Sequence, residues 1–152
     1  MRKMLVVLGW VFLGVLVILG GFVGYFFYVG SGLDASSKAY VDQSVPAIVA
    51  SWSKDELLRR ASPELRKAIP DEQQVAQLFG KLSQLGKLER YEGSKGDANI
   101  SVTAQAGKMI TASYIANAKF EKGSAQITIR LIQKGTQWQI LYFYVNSPIF
   151  LQ

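Results

Sequence analysis

The sequence predicts an α+β protein: an N-terminal transmembrane helix, then helices packed on an antiparallel sheet. Three observations carry this. Thirty residues, Met4 to Leu33, contain no charge. The apolar positions that follow recur every three or four residues as far as Gly86, and beyond Gly86 they recur every two. A run of helices therefore gives way to a run of strands.

The chain divides into residues 1–33, a short cytoplasmic N-terminus and transmembrane helix, and residues 34–152, an extracytoplasmic domain. In the first part, Met4 to Val29 is nearly all Leu, Val, Ile, Phe and Gly. At a rise of about 1.5 Å per residue this stretch exceeds the ~30 Å hydrocarbon core of a bilayer. Arg2 and Lys3 precede it and no basic residue follows closely, which places the N-terminus inside and the domain in the periplasm, beyond an inner membrane. Tyr25, Phe26, Phe27 and Tyr28 cluster toward the outer end, where aromatic rings suit the headgroup level. A cleaved signal peptide has a shorter apolar region and an Ala-x-Ala-like site. Gly30-Ser31-Gly32 is a poor substitute for that site, so the segment reads as a retained single-pass anchor. Gly20 and Gly24, four apart, offer a close-approach face for a homodimer, although glycine is also simply frequent in membrane helices.

In the second part, Ser36 or Ser37 reads as the cap of a helix beginning near Lys38, with Val41, Val45, Ile48, Val49 and Trp52 as its buried stripe. Pro46 should kink or split that helix. Ser53 reads as the cap of a short helix from Asp55 to Ala61, with Leu57 and Leu58 inward. Ser62-Pro63-Glu64 is a cap, a first-turn proline and an acid at the positive helix end. Pro70-Asp71-Glu72 opens the clearest helix, with Val75, Leu78, Phe79, Leu82 and Leu85 on one face and Gly86 as its stop.

Strands follow. Lys87–Gly93 and Ala98–Gln105 read as two strands joined by the turn Ser94-Lys95-Gly96-Asp97. Lys108–Lys122 alternates, with Ile110, Ala112, Tyr114, Ala116, Ala118 and Phe120 on one face. After a turn at Gly123-Ser124, Ala125, Ile127, Ile129 and Leu131 repeat the pattern. A turn at Lys134-Gly135-Thr136 leads to Trp138–Asn146, apolar on both faces and so read as central or half-covered.

Composition narrows the chemistry. Histidine and cysteine are absent from the 152 residues. That removes a His-based triad, His-ligated zinc or haem, a Cys nucleophile and any disulfide. No metal or cofactor is expected: there is no nucleotide-type glycine motif and no carboxylate spacing of a calcium loop. The net charge of +6 falls to +4 for residues 34–152, is scattered, and predicts no nucleic-acid partner. Asp55-Glu56 and Asp71-Glu72 are paired carboxylates, but both pairs occupy first helical turns, where the dipole accounts for them. Asn99-Ile100-Ser101 matches a glycosylation acceptor. The better site candidates are aromatic. Trp52, Tyr91, Tyr114, Trp138 and Tyr142, with Tyr144, are placed to line the concave side of the sheet and to offer hydroxyl donors to a small apolar ligand. The competing reading is core packing, with each hydroxyl bonded locally.

Leu85-Gly86-Lys87-Leu88, Tyr114, Phe120-Glu121-Lys122-Gly123 and Trp138-Gln139-Ile140, in this order of elements, resemble the cystatin-like cone of the nuclear transport factor two superfamily. The likeness is to its small bacterial membrane-anchored members of unknown function. It implies a strongly bent sheet wrapped around helices, often with a pocket at the mouth of the cone. That fold hosts isomerases, dehydratases, binding modules and scaffolds, so it does not select a function. The expectation is a membrane-anchored, non-enzymatic extracytoplasmic binding protein with a protein or small-ligand partner. Two rivals stand beside it. One is a scaffold subunit of an envelope or secretion assembly, similar to the bitopic scaffold of type IV secretion systems, although only three residues precede the span here. The other is a small isomerase-like enzyme using Asp97 or Tyr114.

Overall fold

A computed structural model describes residues 2–151. The chain separates into two units, Met1–Leu33 and Asp34–Gln152. In the first unit Val6–Tyr25 is helical, 20 residues long, and buries none of its side chains against protein. By length and composition it suffices to cross a membrane or to act as a signal sequence. Side chains placed at Gly20 or Gly24 would meet nothing within 4 Å. The side chains of Phe26, Phe27 and Tyr28, expected at the headgroup level, lie outside the described residues.

The second unit is α+β. Its elements in chain order are the end of α1 (Arg2–Val49), α2 (Lys54–Arg60), α3 (Pro63–Ala68), α4 (Glu72–Leu82), a 3-10 turn (Ser83–Leu85), β1 (Leu88–Thr103), β2 (Gly107–Phe120), β3 (Gly123–Lys134), β4 (Gln137–Asn146) and a final 3-10 turn (Pro148–Leu151). Among the described residues the strands form one curved, open antiparallel sheet in the order β1-β2-β3-β4.

The short helices begin where their caps predict. Ser53 Oγ accepts from the Glu56 amide, Ser62 Oγ from the Leu65 amide and Asp71 Oδ1 from the Gln73 amide. Each occupies one of the otherwise unpaired first-turn donors. The α1 end differs from expectation in two ways. No helix starts near Lys38, because the helical backbone runs straight through Ser36 and Ser37. Ser37 is buried, and its hydroxyl reaches back to the Asp34 carbonyl and across to Tyr114 rather than capping. Pro46 does not divide the helix, which ends three residues later at Val49. A proline disturbs only the turn before it, and here it stands within a turn of the terminus.

The helix then closes through a residue with φ +50, Trp52. The Ser53 amide bonds the Ile48 carbonyl at 3.0 Å, in the manner of a Schellman stop. Glycine usually fills that left-handed position. Here an indole does so because burial compensates the strain. Trp52 stacks on Phe120 (5.1 Å between ring centres), tilts against Phe79 (6.4 Å) and donates to the Gly86 carbonyl at 3.1 Å. Around this cluster lie Val41, Val45, Ile48 and Val49 of α1, Val75, Phe79 and Leu82 of α4, and Leu85. They cover the inner face of the sheet, where Ala112, Tyr114, Ala116 and Ala118 alternate with exposed residues along β2, and Ile127, Ile129 and Leu131 lie buried along β3. Leu78, assigned by its spacing to the buried face of α4, is instead 54% exposed.

The two predicted strands Lys87–Gly93 and Ala98–Gln105 are one strand, β1, and the predicted turn Ser94-Lys95-Gly96-Asp97 lies within it. Tyr91 pairs with Ala118 but Ser94 pairs with Ala116, so one extra residue bulges from β1. Gly93, at φ +93, absorbs it. The hairpin turn comes later, between Thr103 and Gly107. β4 meets the half-covered alternative of its reading, not the central one. It is an edge strand, and its apparent two-sided apolarity is one inner stripe with a phase slip. Leu131 pairs with Ile140 and Arg130 with Tyr142, so Leu141 is the extra residue. Inward positions run Trp138, Ile140, then Phe143 and Val145. These bulges, with a third near Leu88, bend the strands and account for the curvature.

Candidate functional site

The six aromatic candidates do not share one cavity. Trp52 and Tyr114 are core residues. The Tyr114 hydroxyl lies 2.8 Å from Ser37 Oγ and donates to the Asp34 carbonyl at 3.0 Å; burial pushes its pKa up. Tyr142 and Tyr144 fall on the outer face of β4. Tyr142 is 44% exposed, and its ring sits 5.8 Å from the Arg130 guanidinium carbon. Tyr91 is half-buried and donates to Asp42 at 2.7 Å.

That last contact belongs to a clasp between α1 and the bulge of β1. Asp42 Oδ1 accepts from Tyr91 and from Ser94 Oγ, each at 2.7 Å, and its Oδ2 accepts from Lys38 Nζ at 2.7 Å. Partial burial works against the charge of Asp42, but the bonds from Lys38, Tyr91 and Ser94 outweigh it and hold the carboxyl below its usual range. Burial and the Asp42 carboxylate both push the Tyr91 hydroxyl pKa up. Because the folded pKa of Asp42 lies below the unfolded one, the clasp is at full strength above about pH 4 and is lost as pH falls through the folded value. Asp42→Ala leaves two hydroxyls without their acceptor and should cost about 2 kcal/mol at pH 7. Thermal melts of the wild type and the variant should differ at neutral pH and converge as the pH falls through the lowered folded pKa of Asp42.

Trp138 is the one candidate that lines a cleft of about 620 Å³. One wall is a face of α1: Ser36, Ala39, Tyr40 and Gln43 follow at helical spacing, opposite the buried stripe of Val41, Val45 and Ile48. A second wall is the end of α2, with Arg59 and Arg60. The third is the start of β4 and the turn before it, Thr136 to Gln139. The Trp138 indole donates to Ser36 Oγ at 3.1 Å and so ties the first wall to the third. The second wall is tied to β4 nearby, where the Ser62 amide bonds the Ile140 carbonyl at 2.8 Å.

The lining holds two guanidiniums and no carboxylate. Glu56, one helical turn before them, accepts from both Arg59 and Arg60. The bond from Arg60 is the main reason its carboxyl is held below the ordinary range. Burial raises the Tyr40 hydroxyl pKa, while the Ser44 hydrogen bond and the nearby Arg60 charge oppose the shift. Gln139 carries a buried Oε1 with no hydrogen-bond partner among the described residues. Tyr40, Gln43, Arg60, Gln137 and Gln139 were not legible as site residues. Their only local signal is the polar spacing at 36, 40 and 43 on the back of the α1 stripe.

A smaller groove of about 180 Å³ is apolar. Leu65 and Leu78 of the helices and Phe143 and Val145 of β4 contribute to it. Among the described residues no group of three or more acidic side chains is placed to hold a metal ion.

Fold and cleft define a small α+β domain with helices covering one face of a curved antiparallel sheet and a cleft bearing two arginines along one edge. The chain matches no protein-family model, no curated protein and no solved structure.

Proposed function

We propose that this chain is a single-span membrane protein that displays a non-enzymatic binding domain, of the nuclear transport factor two-like cone type, on the extracytoplasmic side. The observation that carries the reading is the helix Val6–Tyr25: 20 apolar residues, none buried against protein. In water such a surface far exceeds the apolar patches that soluble monomers leave open, whereas in lipid it is at home. Arg2 and Lys3 at its start support an N-terminus on the cytoplasmic side. The binding role is supported by a cleft whose volume lies in the range of small-molecule sites. An isomerase-like role finds less support. Tyr114 has its hydroxyl buried in local bonds, and Asp97 is exposed on β1.

The test is fractionation of bacterial cells expressing the full chain with a C-terminal tag. The expected product remains in the membrane pellet through alkaline carbonate washing, keeps its intact mass, and loses the tag to protease added to spheroplasts. A soluble product shortened by about 30 residues would replace the anchor with a cleaved signal sequence.

A further inference from the structure

The geometry points to an acidic saccharide, a sugar ring bearing one carboxylate or phosphate, as the ligand of the cleft between α1, α2 and β4. This rests on reading the domain as a binding module. The charge comes first. Arg59 and Arg60 line the cleft, and the single carboxylate that holds them, Glu56, is outside the lining, so the site retains a net +1. Arg60 is the better-placed of the two, because its side chain is 18% exposed and that of Arg59 68%. Both of its bonds leave through one nitrogen, Nη1, to the Glu56 carboxylate and the Glu56 carbonyl. A planar guanidinium held in place by one acid and lining the cleft suits a carboxylate or phosphate.

The remaining lining decides what carries the anion. Gln43 and Gln137 each present an amide with both a donor and an acceptor, and Tyr40 and Thr136 add hydroxyls. A sugar hydroxyl is likewise donor and acceptor at once, so an array of amides and hydroxyls matches a polyol. The apolar groove lies elsewhere, between α4 and the far end of β4.

The experiment is calorimetric titration of the full chain in an uncharged, sugar-free detergent with glucuronate, glucose 1-phosphate and glucose. At least one of the two anions should bind about tenfold or more tightly than glucose, and the one that does identifies the anion. Gln43→Glu, at an exposed helix position, adds a carboxylate to the cleft without disturbing the core. It should weaken anion binding by about tenfold at an unchanged melting temperature, and Arg60→Met should also weaken anion binding by about tenfold. The inference is overturned if neither anion binds more tightly than glucose, or if Gln43→Glu binds as well as the wild type. Either result leaves the membrane reading standing, since that is decided by fractionation alone.

Discussion

Phe120→Ala is expected to lower the stability of the C-terminal domain by about 4 kcal/mol, a fall in Tm of roughly 15 °C. The ring is 1% exposed at the end of β2, so the substitution removes a full aromatic side chain from the core. The neighbouring Trp52 cannot easily follow into the space. It is held at φ +50 between the Ser53–Ile48 closure and its own bond to the Gly86 carbonyl. A site that cannot collapse keeps its cavity, which is the costly case. The stacked pair at 5.1 Å is also lost, worth about another 1 kcal/mol. Phe120→Leu keeps most of the volume and should cost under about 1.5 kcal/mol. Thermal unfolding followed by near-ultraviolet dichroism checks both. If the alanine variant melts within a few degrees of the wild type, the Trp52–Phe120 stack is not the centre of the core.

The residues of that core were legible because their signals are local and regular. Ser53, Ser62 and Asp71 bond an amide two or three residues ahead, so a short window contains the whole interaction. Along β2 and β3 the alternation runs without a slip from Ala112 to Phe120 and from Ala125 to Leu131, and parity alone assigns the faces. What escaped depends on partners far away in sequence. The phase slip at Leu141 is invisible without β3 beside it, and so β4 looked apolar on both sides. Ser37 resembles a cap until Tyr114, 77 residues on, takes its hydroxyl. The cleft is the extreme case. Its walls come from residues 36–43, 59–60 and 136–139, and only folding brings Arg60 beside Tyr40. Of the aromatic candidates, Trp138 reached the cleft because the indole that packs inward also donates outward to Ser36.

Gly96→Ala is expected to destabilise the domain by about 3 kcal/mol although the residue is exposed and a single methyl is added. Gly96 pairs with Tyr114 across the β1–β2 ladder. A Cβ built there would lie 1.9 Å from the Ser113 carbonyl oxygen and 2.8 Å from the Tyr114 Cα. Both are backbone atoms of β2, an inner strand, so no rotamer change relieves the clash and the strands must part. The displaced partner is Tyr114, whose hydroxyl anchors α1 through Ser37 and Asp34, so the damage spreads to the helix. Gly93 makes the internal comparison. It stands three residues away at φ +93, and a Cβ at that position would have nothing within 4 Å. Gly93→Ala therefore meets only backbone strain, about 1–2 kcal/mol. In a turn, the reading that Ser94-Lys95-Gly96-Asp97 invites, Gly96 would be valued for its dihedral freedom and would have open space around it. In β1 it is valued for the missing Cβ. Chemical denaturation of the two alanine variants separates these cases: a strand interior requires Gly96→Ala to be the more damaging, and an exposed turn requires it to be nearly silent.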